Sequence, residues 1–271
     1  MTATTRIPII LGLASLLALS AMMAFAVGAE GQETQPPRAE IPAALVHPGG
    51  DHKLLLRTGD APALDRLAGL GVVRRQLDYG DFQLLVVGDR AIPALREREL
   101  SGVTVRDDFD LVAVNRWLID TRYGEPKDLS WDRLDAPGCH DRQLYIVQFV
   151  GPPKDEWIAA LRRDGDAEIV AYLPSNAYAV FASPAAWERM SEEVSRPGSV
   201  VQWVGAYHPA YRISAHLEEA IARNDKTTDV VVQFVEHAGA DRSVADLKAQ
   251  AFTELMEDVS LGGMRDVRVR I

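Results

Sequence analysis

The sequence holds a single cysteine, Cys139, among 271 residues. One thiol cannot build an internal disulfide framework, so the fold must rest on packing. Basic residues are scarce as well: 29 Lys and Arg stand against 39 Asp and Glu, a formal charge of −10. That balance disfavours nucleic acid as a partner. Metal and nucleotide signatures are missing too. His216-Leu217-Glu218-Glu219-Ala220 has the wrong order for HExxH, and there is no Walker loop. Gly69-Leu70-Gly71 opens a GxG, but Arg74 stands where the third glycine belongs, so the stretch reads as a helix end and turn. Cys139-His140 has no CxxC or HxxxH partner and reads as a linker position. Asp107-Asp108 with Asp110, and Asp164 with Asp166, miss the calcium-loop spacing and read as solvated turns. No cofactor and no metal site is expected.

Long apolar runs are confined to the start of the chain. After Arg6, residues Ile7 to Val27 are apolar apart from Pro8, Gly12, Ser15 and Ser20. Ala24-Phe25-Ala26 and Val27-Gly28-Ala29 both fit a small-x-small cleavage site. Residues 1–29 therefore read as a secretory signal peptide cleaved after Ala26 or Ala29, which makes the product secreted or periplasmic and free of the membrane. The competing reading is an uncleaved anchor, because the run is nearly long enough to span a bilayer. Residues 30–50, including Gln-Glu-Thr-Gln-Pro-Pro-Arg at 32–38, read as a flexible spacer. With 47% hydrophobic and 25% charged residues, the rest is globular.

What is present is a repeating order of extended and helical segments. Tyr145 to Val150 is aromatic and β-branched and stops at Gly151-Pro152-Pro153, as a strand does. Trp157, Ile158 and Leu161 follow at helical spacing. Ile169–Leu173 and Tyr178–Phe181 flank the turn residues Pro174-Ser175-Asn176, and Pro184 opens a second helix carrying Trp187 and Met190. Val200 to Val204 closes the unit. Residues 143–215 thus predict β-α-β-β-α-β, a ferredoxin-like α+β domain with two helices on one face of a four-stranded sheet.

The phrases VQF at 147–149, AYLPSNAYAV at 171–180 and VQWVGAYHPAYRIS at 201–214 resemble the N-terminal prodomains of secreted subtilisin-like serine peptidases, in particular the fervidolysin type. The resemblance implies a part in folding, inhibiting or targeting such a protease, with the sheet packed on the catalytic domain and the tail laid into its cleft. It brings no catalytic residue. The Asp, His-Gly-Thr and Gly-Thr-Ser phrases of that family do not occur, and Asp120-Thr121-Arg122 lacks the glycine. The chain is therefore not expected to be an enzyme. Val204, Gly205, Ala206, Tyr207 and His208, where such tails leave the sheet, are the candidate partner-binding residues, with packing on their own domain as the plain alternative.

Residues 51–115 lay out as a diverged copy. Leu54–Leu56 correspond to Tyr145–Val147, and Leu64, Leu67 and Leu70 to the first helix. Leu77 to Phe82 correspond to the hairpin, Ile92 and Leu95 to the second helix, and Val103, Val105 and Leu111–Val114 to the closing strand. Residues 116–142 read as a linker in which Trp117 and Trp131 dock on a neighbouring core, and 216–228 as a second linker. At 229–271, Val232-Gln233-Phe234 repeats VQF, Ser243 caps a helix running through Phe252 and Met256, and Val267–Ile271 forms a last strand. This third copy reads as incomplete, which suggests a truncated frame. The whole is expected to be a tandem α+β array that binds a subtilisin-like protease domain as chaperone or inhibitor. An envelope interaction module unrelated to proteolysis is the alternative.

Overall fold

The computed structural model describes residues 22–26, 49–96, 102–127, 129, 142–163, 165–256 and 258–271. Over them the chain is mixed α and β, with antiparallel sheets and six α-helices. Strand β1 (Met22–Ala26) comes first. Then follow β2 (Asp51–Arg57), α1 (Ala61–Gly69), β3 (Val73–Asp78), β4 (Phe82–Gly88), α2 (Ala91–Arg96) and β5 (Val103–Val105). A 3-10 turn at Asp107–Asp110 leads into the hairpin β6 (Leu111–Val114) and β7 (Trp117–Asp120). The central unit is β8 (Gln143–Phe149), α3 (Asp155–Arg162), β9 (Ala167–Leu173), β10 (Ala177–Ala182), α4 (Pro184–Val194) and β11 (Val201–Ala206). A 3-10 turn at Pro209–Arg212 precedes α5 (Ala215–Ala222), β12 (Asp229–Val235), α6 (Ala240–Gln250), β13 (Thr253–Glu254), β14 (Val259–Leu261) and β15 (Met264–Arg270).

The first and central sheets share one plan. Their orders are β3-β4-β2-β5 and β11-β8-β10-β9, all antiparallel, so the first strand of each unit lies between its third and fourth. Strand alternation explains how β8 serves two cores. Tyr145, Val147 and Phe149 face Trp157, Ala186 and Met190 of α3 and α4. Leu144 and Ile146 face the other way, toward Val112, Val114 and Ile119 of the β6–β7 hairpin. Local chemistry agrees with these elements. Ser183 Oγ accepts from Ala186 N at 3.2 Å to cap α4, and Ser175 and Asn176 turn the β9–β10 hairpin at φ of 65° and 62°.

The first sheet is covered on both faces. Leu54, Leu56, Leu85 and Val87 pack with Ala63 and Leu67 of α1, while Leu77, Tyr79 and Val86 pack into the helical core of the central unit. Tyr79 meets Trp157 edge-on at 6.3 Å between ring centroids. The boundary expected after residue 115 falls inside a hairpin, since Leu111–Val114 pairs with Trp117–Asp120 and Val103–Val105 alone closes the first sheet.

The third sheet, ordered β1-β12-β15-β13 with β14 also on β15, holds the last strand inside it and corrects one expectation. Ser243 lies inside α6, whose N-cap is Gly239, and the helix ends at Gln250, so that Phe252 and Met256 lie beyond it with 58% and 53% of their surfaces exposed. Under the sheet, Val230, Val232, Phe234, Val244, Leu247, Val267 and Val269 form a core with Leu217 of α5. Helix α5 and strand β1 thus stand where a second helix and a closing strand would complete the plan of the other two sheets.

Candidate functional site

The polar side chains that stand out are buried together where the first unit, the hairpin and the central sheet meet. Strand β2 carries His52 and Lys53, which are 0% and 4% exposed. His52 Nδ1 lies 2.7 Å from Asp107 Oδ2 and its Nε2 lies 3.0 Å from Asp89 Oδ1. Lys53 Nζ donates to Asp110 Oδ1 at 2.6 Å, to the Phe109 carbonyl at 3.2 Å and to Gln202 Oε1. The backbone N–H of Lys53 also reaches Asp107 Oδ1 at 2.9 Å. Burial pulls the Lys53 ammonium below its ordinary pKa, and the charge of Asp110 opposes that pull. At the exposed rim, Asp89 sits below the usual carboxylate range, held first by the Gly50 N–H and then by His52.

The acidic run expected to be a solvated turn is therefore an internal one. Asp107, Asp108 and Asp110 are buried, and each has a cationic or imidazole neighbour. A carboxylate leaves water only where donors replace it, and these basic residues come from β2 and from Arg106.

The glutamine of the VQF phrase has a definite task. Gln148 is fully buried; the two hydrogens of its Nε2 are shared among the carbonyls of Phe109 at 3.0 Å, Leu111 at 3.1 Å and Ser175 at 2.9 Å. Its Oε1 accepts from Thr121 Oγ1 at 2.7 Å and from Gln202 Nε2 at 2.5 Å. One side chain thus ties the hairpin onto the sheet face that carries no helices. All these donors and acceptors are engaged with one another, so the cluster works as a clamp between units. Among the described residues, no group of three or more His, Cys, Asp or Glu is arranged to hold a metal ion.

The tail singled out in the sequence lies inside the molecule. Val204 is half-buried, and Gly205, Ala206, Tyr207 and His208 are buried. Glu125 brackets them: its Oε1 accepts from Ala206 N at 2.9 Å and its Oε2 lies 2.9 Å from His208 Nε2. Arg212 donates to the Tyr207 carbonyl at 3.1 Å, and complete burial pushes its guanidinium down to about 10. Trp117 docks on the same tail, donating to the Ala210 carbonyl at 3.1 Å and meeting Tyr211 edge-on. Trp131, Cys139, His140, Asp164, Ala29 and the spacer at 30–48 lie outside the described residues. Ala26 ends β1, opposite Val230.

Sequence reasoning passed over His52, Lys53, Asp89, Gln148 and Gln202. A usable signal was there: His52 and Lys53 stand directly before three leucines in one strand, and aspartates 107, 108 and 110 follow in the same unit.

Residues 109–208 match the model of a family described as a domain of unknown function, DUF8729. The matched stretch takes in the hairpin, the central sheet, Gln148, Gln202 and the bracketed tail, and leaves out His52 and Lys53. No curated protein and no solved structure matches the chain.

Proposed function

We propose that this chain is an exported, non-catalytic binding protein built from tandem ferredoxin-like units, and that it serves a subtilisin-like serine peptidase as folding aid or inhibitor. The observation that carries the reading is the shared strand order of the first and central sheets, each with its first strand between its third and fourth. The VQF, AYLPSNAYAV and VQWVGAYHPAYRIS phrases fall on the central one. The geometry narrows the mode of binding. The central sheet's helix-free face is filled by the hairpin and the tail is enclosed by Glu125, Trp117 and Arg212, so a protease would be met at strand edges or at the third unit.

Those same two facts favour a second reading, an envelope module that binds an unrelated protein. Capture from an extracellular fraction with the exported chain as bait separates the two. A serine peptidase as the main identified partner supports the first reading, and an unrelated protein recovered in its place supports the second.

A further inference from the structure

Strand edges in a sheet invite unwanted pairing, and proteins guard them with bulges, charge or shortness. Five edges or edge segments of this chain are guarded in those ways. Strand β3 has a register shift between Val73 and Arg75, with Arg74 and Arg75 along it. Strand β11 shifts between Val201 and Trp203. Strand β9 faces a shift between Ala179 and Val180 and carries Glu168. Strands β5 and β13 are three and two residues long.

Strand β12 differs. Its sequence Asp-Val-Val-Val-Gln-Phe-Val is seven residues long and β-branched, and the only charge on it is Asp229 at its end, engaged by Arg270. It pairs in unbroken register with β15 on one side and with β1 on the other, from Met22 opposite Phe234 to Ala26 opposite Val230. Helix α5 and the 209–212 turn also lie against β1. The result is a slot one strand wide, floored by the core around Val230, Val232 and Phe234. Yet the strand that fills it comes from the segment the sequence marks for removal at Ala26 or Ala29.

We propose that the β12 edge is a strand-acceptor site, filled by the leader before export and afterwards by an extended apolar segment of a partner protein. The inference rests on the exported reading above, but not on the partner being a protease. Removal of residues 22–26 leaves one side of a valine-rich strand with unpaired N–H and C=O groups, which an incoming strand satisfies by main-chain hydrogen bonds. The strand paired there reads Met-Met-Ala-Phe-Ala, an apolar sequence without proline, and the incoming segment is expected to share that character. A second copy is a poorer occupant. Two-fold pairing of β12 with β12 would bring both α5 helices over the same seam, each with Glu218 and Glu219, and α5 already lies over the position the second strand would take.

The test expresses the full reading frame in an exporting host, reads the new N-terminus by mass and titrates the product with a labelled Ser-Ala-Met-Met-Ala-Phe-Ala-Val-Gly peptide, residues 20–28. Two further peptides carry Ala24→Pro or Phe25→Pro. Neighbouring residues of a strand turn their N–H groups to opposite sides, so one proline removes a bond to β12 and weakens binding at least about tenfold, the other less. Saturable binding with that ranking supports the site. It is overturned if the exported product retains residues 22–26, if no peptide binds, if all three bind alike, or if the product sediments as a dimer that the peptide cannot dissociate. Peptide capture by a chain that leaves subtilisins untouched keeps the acceptor site and removes the protease reading.

Discussion

Replacing Lys53 with methionine tests the clamp between the first unit and the rest. Methionine keeps most of the apolar stem, so packing changes little. What is lost is the ammonium that Asp110, the Phe109 carbonyl and Gln202 share, in a site where Lys53 is 4% and Asp110 7% exposed. Removing one partner of a buried ion pair takes its nearest counter-charge from the other and costs about 3–5 kcal/mol. Asp110→Asn in the same chain removes the carboxylate that Lys53 neutralised, so the double variant should lose less than the sum of the two single losses, by a coupling of about 2 kcal/mol. Urea unfolding followed by tryptophan fluorescence reads the effect, because Trp157 touches Tyr79 across the junction. The expected record is an early transition that moves to lower urea in Lys53→Met and part of the way back in the double variant. A loss below about 1 kcal/mol, or strict additivity, would refute the clamp.

Three smaller changes follow from the same geometry. A Cβ on Gly151 would stand 2.3 Å from Leu84 Cδ2 and 3.0 Å from Tyr79 Oη, so Gly151→Ala should loosen the contact between units by about 1–3 kcal/mol in the same urea assay. Ser183→Ala removes the α4 cap and should cost about 1 kcal/mol in thermal or urea unfolding. Glu236 lies below its ordinary 4.5, first because Arg265 donates to it and then Ser260. Its depressed folded value means that its contribution is fully in place above pH 4.5 and is lost below it, as pH falls through the lower folded value. Glu236→Gln should flatten the stability curve on that acid limb and leave its slope near neutrality unchanged.

Much of the fold was legible because alternation and turn chemistry are local. Tyr145 to Phe149 announced a strand, Pro174-Ser175-Asn176 a turn, and Pro184 a helix start, and each stands where its residues put it. The errors lie where distant segments decide. Leu111–Val114 has the composition of a closing strand, but pairing with Trp117–Asp120 and the reach of Gln148 draw it onto the central sheet. The aspartates at 107, 108 and 110 look solvated until His52, Arg106 and Lys53 are brought against them by the folding of β2. Ser243 satisfies a cap pattern, yet the helix begins a turn earlier at Ala240, whose N–H reaches the His237 carbonyl at 2.9 Å. No local pattern could reveal that Met22–Ala26 matches the register of β12.

The most direct measurement of the proposed function is a titration of residues 30–271 into active subtilisin-like peptidases while hydrolysis of a small peptide substrate is followed. The account predicts saturable inhibition at micromolar chain, or recovery of active peptidase when the denatured enzyme is refolded with the chain present. Unchanged hydrolysis at micromolar chain together with unchanged refolding yield would contradict it.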